Sequence, residues 1–258
     1  MQAAATDVAL LERFERALEE SVAALLARER DSPIVEQVNY HLSIRGKRLR
    51  PRLLLAVASQ EGARFEEAVD AAVAIELLHN YSLVHDDIED GDRLRHGRET
   101  VWVRYGAAHG VNAGDSMCAL SYLALLQNTG ALSAARLAAM LRVLHEANLA
   151  MCSGQGRDIR FESAQHVSMD DYLVMIAGKT SALFAAACEL GARAAATTDD
   201  ARAEAYARLG RIYGRAFQIR DDVLGTWGSP TETGKPSGSD IARRKWSFPV
   251  VWALGTGP

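Results

Sequence analysis

Apolar residues along this chain recur every three or four positions almost from end to end, and no stretch alternates apolar with polar residues between turn signals. That pattern reads as helix throughout. The spacing predicts helices over about residues 6–30, 34–43, 51–60, 66–90, 110–128, 133–163, 168–192, 199–225 and 239–254, an all-α architecture. No Gly/Ser linker divides them and no repeat of fixed period appears, so one domain over residues 1–258 is expected. Pro51 suits a first helical turn, which makes the basic segment before it a loop. Gly225 to Gly238, with two prolines and four glycines, reads as a second loop, placed to act as a lid beside the acidic pair before it.

Two acidic clusters interrupt the apolar pattern: Asp86-Asp87-Ile88-Glu89-Asp90, and Asp221-Asp222 after Gln218. On a helix, Asp86 and Asp90 share a face that continues back through Ser82 and His79. Val73, Leu77, Tyr81, Val84 and Ile88 form an apolar line beside it, so the carboxylates border buried surface. Charge there is costly unless a cation accepts it, and oxygen-only ligands favour Mg²⁺ or Mn²⁺. A solvated face is the bland alternative for either cluster alone; their joint occurrence favours several divalent ions on a polyphosphate.

Other cations sit where a phosphate would need them. Arg45-Gly46-Lys47-Arg48-Leu49-Arg50-Pro51 is a basic loop, and Arg93, Arg95 and Arg98 follow the first acidic cluster. Taken alone, the loop reads equally well as a solubilising surface. Lys179 lies in an apolar run, where an ammonium needs an anion, and Lys235 is a further candidate. Gln155 and Asp158 form an inward polar pair that serves either a site or a structural hydrogen bond. His109 and His145 read as surface or structural histidines, and no Ser/His/Asp set, P-loop or dinucleotide fingerprint is present.

A formal net charge of −4 over 258 residues argues against binding nucleic acid through a broad positive field. Cys118, Cys152 and Cys188 are odd in number and widely spaced, as reduced cysteines of a cytosolic protein are. Charges in the first apolar stretch exclude a secretion signal, and no window reads as an uncharged membrane span. A soluble, cytoplasmic protein is expected.

In order along the chain, these residues resemble the trans-isoprenyl diphosphate synthases. Gly46 to Pro51 is similar to the family's GKRLRP loop, His85 to Asp90 to its first aspartate-rich motif, and Phe217 to Asp222 to its second. Gly178-Lys179-Thr180, Gly234-Lys235-Pro236 and Asp240 to Pro249 also fall where the family places them. The resemblance implies an orthogonal helical bundle around a deep central cavity (the isoprenoid synthase type I fold), in a homodimer. It implies Asp86, Asp90 and Asp221 as Mg²⁺ ligands, Asp87 and Asp222 supporting them, and Arg95, Lys179 and Lys235 on an allylic diphosphate. Lys47, Arg50, His79 and His96 would hold isopentenyl diphosphate, and Gln155 would join the substrate site.

The implied reaction is metal-assisted loss of diphosphate, attack of the isopentenyl alkene on the allylic cation, and loss of a proton. Thr180 and Gln218 would stabilise the positive charge. Tyr81 and Ser82, before the first motif, would set product length, with geranylgeranyl diphosphate favoured and farnesyl diphosphate next. His96 stands where the family has a second arginine, implying a weaker or more acid-dependent isopentenyl site. The family's helices after Val251 would be missing. The alternatives are a class I terpene cyclase, against which the basic loop and His79 argue, and a non-catalytic partner subunit, against which two whole aspartate clusters argue.

Overall fold

In a computed structural model, residues 2–44, 46–127, 132–228, 241 and 244–255 are described, with side chains from residue 8 onward. The described residues are helical apart from turns and one short ribbon. The helices are α1 (Gln2–Leu25), α2 (Pro33–Leu42), α3 (Leu49–Gln60), α4 (Phe65–Glu89), α5 (Val101–Tyr105), α6 (Ala107–Leu126), α7 (Ala134–Phe161), α8 (Met169–Ile176), α9 (Ala182–Ala194), α10 (Asp200–Trp227) and α11 (Phe248–Gly255).

Local chemistry sets several boundaries. The Ser32 hydroxyl caps α2 ahead of Pro33 at its first position. The Glu67 carboxylate accepts from the Arg64 backbone N–H at 2.7 Å at the start of α4. Ser168 Oγ accepts from Asp171 N–H at 3.1 Å to start α8. Pro51 lies in the first turn of α3, whose start is two residues earlier than expected. The expected helix over 168–192 is divided by a π-helical turn at Ala177–Ser181. The helix through the second acidic pair runs on to Trp227, and most of the expected lid lies outside the described residues.

Periodicity missed the antiparallel ribbon of β1 (Leu94–Arg95) and β2 (Arg98–Glu99), which pairs Arg95 with Arg98. Its turn residues, His96 and Gly97, have φ of 50° and 78°. Two consecutive positive φ values are what a tight hairpin needs to match strand twist, and histidine tolerates that region better than most side chains.

The chain divides into two compact units, Met1–Leu144 with Glu189–Ala203, and His145–Cys188 with Glu204–Pro258. In the first unit α4 is the core helix, with Ala71, Val73, Ile75, Leu77, Leu78 and Val84 all essentially buried, as expected of a helix apolar on most sides. Glycines bring α6 close to it: a Cβ on Gly114 would collide with the His85 ring and one on Gly110 with Ile88. In the second unit Phe161, Val167, Tyr172, Met175, Ile176 and Val251 form a cluster, with Ile219 and Phe248 against it. The run Met169–Ala194 is long and apolar enough to cross a membrane, its most apolar 18-residue stretch having mean hydropathy 1.5, but 61% of that stretch is buried within the protein as core.

His41 of α2, buried in the first unit, is held neutral down to about 3 by burial, with Arg95 and Arg48 adding to the effect. The unfolded chain protonates this group near pH 6.5, the folded chain only near 3. Its contribution is therefore fully present above pH 6.5 and is lost as pH falls toward 3, at about 1.4 kcal/mol per unit. Urea unfolding at pH 7 and pH 5 should show a loss of roughly 2 kcal/mol from this group, and His41→Gln should show a smaller loss. Equal losses in parent and variant would refute the assignment.

Candidate active site

The first unit carries the basic loop, the first acidic cluster and the ribbon. Arg48, the residue before α3, adopts a left-handed conformation (φ 50°, ψ 38°) and turns inward. Its guanidinium donates to Glu15 at 2.8 Å and to Glu76 at 2.5 Å, while Asn80 also donates to Glu76 at 2.8 Å. Its neighbour Lys47 remains exposed. Arg50, in the first turn of α3, meets His79 of α4, with Nη1 3.0 Å from Nε2. Burial pushes the Arg50 guanidinium down to about 10 despite the pull of Glu76, and burial with the Arg50 charge lowers His79 well below its usual range. A neutral imidazole against a guanidinium leaves net positive charge in a partly desolvated place, which suits an anion.

Four carboxylates crowd the last turn of α4 and its cap, and no basic residue lies in that turn. That arrangement opposes the helix dipole, so cations must offset it. Arg95 supplies one, gripping Asp87 with Nε at 3.0 Å from Oδ2 and Nη2 at 2.7 Å from Oδ1. Asp87 is buried, and its carboxyl is pushed up by burial and pulled back by Arg95. Asp86 and Asp90 are half-buried, one turn apart on the same face. Two such carboxylates fit Mg²⁺, which keeps water and phosphate oxygens as its other ligands and needs no protein cage. Among the described residues no group of three or more His, Cys, Asp or Glu forms such a cage.

His96 sits exposed at the ribbon's turn. Arg98 lies over the Tyr40 ring at 4.8 Å and donates to Ser43 Oγ at 2.9 Å, so it anchors the ribbon to α2 and does not stand in for a second arginine beside Arg95. Tyr81 is buried edge-on to His85, ring centroids 5.6 Å apart, and Ser82, half-buried, donates to the His79 carbonyl at 2.8 Å.

The second unit carries the remaining residues. Gly154 of α7 faces Gly178 of the π-helical turn, and a Cβ on either would strike the other segment's backbone. This contact brings Lys179 to Asp158, Nζ to Oδ2 at 2.5 Å, with Gln155 half-buried one turn earlier on α7. A π turn adds a residue to the helix and re-aims the side chains it carries, here Lys179 and Thr180. The Thr180 hydroxyl donates to Gln218 Oε1 at 2.6 Å, and Gln218 Nε2 donates to Asp222 Oδ1 at 2.7 Å. Asp221 is exposed while Asp222 is buried. Lys235 lies outside the described residues.

Two contributors are hard to read from the sequence. Arg48 sits among the cations of the basic loop, and Glu76, an acid inside the apolar run of α4, is the one sign that it has a buried partner. Tyr172, whose hydroxyl donates to Asp222 at 2.6 Å, gave no signal, because a tyrosine in an apolar stretch reads as core.

The family model for polyprenyl synthetase matches residues 32–257. The chain is 43% identical over 212 residues to a (2E,6E)-farnesyl diphosphate synthase of Mycobacterium tuberculosis, covering 82% of this chain and 58% of that protein. It is 40% identical over 235 residues to a geranylgeranyl diphosphate synthase of the same organism, covering 87% and 66%. The chain thus spans under two thirds of the length of these relatives. Among solved structures, a polyprenyl synthetase from Streptomyces coelicolor A3(2) superposes with a TM-score of 0.87 at 36% identity, covering 97% of this chain and 76% of that one. A geranylgeranyl pyrophosphate synthase superposes at 0.88 with 34% identity, covering 95% and 72%.

Proposed function

This chain belongs to the polyprenyl synthetase family, and on that premise we propose that it condenses isopentenyl diphosphate with an allylic diphosphate to give a short-chain trans-prenyl diphosphate. Geranylgeranyl diphosphate is the favoured product and farnesyl diphosphate the next. The observation that carries the condensation reading is the Arg50–His79 pair, a partly desolvated positive site suited to a second diphosphate besides the one near the carboxylates. Cleavage of a single allylic diphosphate has no use for it.

In this reading Lys47, Arg50 and His79 of the first unit hold the isopentenyl diphosphate, and His96 at the ribbon's turn joins them. Arg95 in the first unit and Lys179 and Lys235 in the second are the cations for the allylic diphosphate, with Gln155 beside Lys179. Asp86 and Asp90 in the first unit and Asp221 in the second would hold Mg²⁺, which supplies Lewis-acid neutralisation of the departing diphosphate. Asp87 and Asp222 support them from buried positions. The oxygens of Thr180 and Gln218 face developing positive charge, and Tyr81 with Ser82 limits product length. The exposed apolar residues Val111, Leu123 and Leu126 on one side of α6 support a homodimer, an assignment that a monomer in sedimentation velocity would sink.

The test is incubation of the purified protein with Mg²⁺, isopentenyl diphosphate and dimethylallyl, geranyl or farnesyl diphosphate in turn, with products resolved by mass. Longer diphosphates are expected. Hydrocarbons from an allylic substrate alone would mean a cyclase, and turnover only with an added second subunit would mean a partner protein. Run beside His96→Arg, the assay also tests His96. The variant should have a lower KM for isopentenyl diphosphate, and an unchanged KM would remove His96 from the site.

A further inference from the structure

Tyr172 has no part in the reaction proposed above, yet it is fully buried and its hydroxyl meets a carboxylate. The O–H donates to Asp222 Oδ2 at 2.6 Å. The Phe248 backbone N–H, at the start of α11, donates to the same oxygen at 2.8 Å, and Gln218 Nε2 donates to Oδ1 at 2.7 Å. Thr180 O–H then donates to Gln218 Oε1 at 2.6 Å.

The direction of every bond in this chain follows from the groups. An ionised carboxylate only accepts, whereas a primary amide has one donor end and one acceptor end. Asp222 therefore takes the nitrogen of Gln218 and turns the carbonyl oxygen to Thr180; the reverse orientation would set the amide oxygen against the carboxylate. Asp222 can impose that choice only while its own carboxylate is held, and Tyr172 holds it from α8. A shared network fixed by donors from three elements is more rigid than any single pair.

We propose that Tyr172 is a positioning residue for the Gln218–Thr180 pair, acting through Asp222. The inference rests on the prenyl synthase reading, in which Gln218 and Thr180 present oxygens to positive charge. Tyr172→Phe keeps the ring in the core and deletes the donor. It should lower kcat for condensation about tenfold, the scale of a small misplacement of a reacting group, with both KM values changed less than about twofold. A tyrosine that served packing alone would lower the melting temperature and leave kcat unchanged.

A double-mutant cycle with Gln218→Leu decides the route. Once the amide is gone, Tyr172→Phe should cost less than about twofold further; a second tenfold loss on top of the first overturns the proposal. A parent without condensation activity overturns the reading and this inference with it, whereas an active parent with multiplicative losses overturns the inference alone. Should Tyr172→Phe not fold, NMR of glutamine-labelled parent protein gives the answer. A Gln218 side-chain amide protected from exchange supports the network, and one averaged by free rotation overturns it.

Discussion

Arg48→Met is expected to lower the melting temperature by roughly 10 °C or more, although Arg48 lies in a loop that reads as surface. Its guanidinium is almost wholly buried between Glu76 and Glu15, with side-chain exposures of 2%, 4% and 14%. Removing the cation leaves the buried Glu76 carboxylate without its ion-pair partner at hydrogen-bond distance, with Asn80 still donating to it, and breaking a buried pair this way costs about 3–5 kcal/mol. At about 2–4 °C per kcal/mol for a chain of this size, the shift is large enough to read by calorimetry. The companion Arg48→Met/Glu76→Leu removes both charges and should recover much of the loss, because two apolar side chains leave little unsatisfied. Lys47→Met, one residue away and exposed, should leave the melting temperature within about 1 °C. If Arg48→Met melted like Lys47→Met, the buried network would not be holding the loop.

The second large effect belongs to Gly154→Ala. In most helix interiors a glycine-to-alanine change gains up to about 1 kcal/mol, and Gly156, with nothing within 4 Å of a built Cβ, should follow that rule. At Gly154 the added methyl meets the backbone of Gly178 and Lys179, its distance to Gly178 C being 2.7 Å. Backbone cannot rotate aside as a side chain can, so α7 and the π-helical turn must separate. A cost above about 3 kcal/mol is expected, beyond the usual range for overpacking. Lys179 would leave Asp158 and Thr180 would leave Gln218, so the activity proposed above should fall as well. Opposite signs of the shift in melting temperature for Gly154→Ala and Gly156→Ala are the expected signature, and a shared gain would show that the two segments are not in contact.

These variants also mark where the sequence was legible. Helical content, the inward line of α4 and the pairing of Asp86 with Asp90 follow from a period of 3.6 and from the cost of charge beside apolar surface. The ribbon and α5 were not legible, because two-residue strands carry no period. The turn that makes the ribbon depends on His96 and Gly97, a pair weaker as a signal than Asn-Gly. The π turn was equally silent: one extra residue in a helix leaves the apolar pattern almost intact while re-aiming Lys179 and Thr180.

Within each acidic cluster the sequence offers adjacent aspartates that look equivalent, and helix geometry alone determines which of them share a face. Only the tertiary structure decided that Asp87 is spent on Arg95 and Asp222 on Tyr172, Gln218 and Phe248, while Asp86 and Asp90 stay half-buried and Asp221 exposed. The same holds for Arg48 and Arg50, two positions apart in one basic segment, of which the first, just before α3, turns to the core and the second, in the first turn of α3, meets His79. Periodicity is a local property and survives in a list of residues. The fate of a charge depends on partners 26 or 50 positions away, as Phe248 and Tyr172 are from Asp222, and the folded chain alone brings those within hydrogen-bond distance.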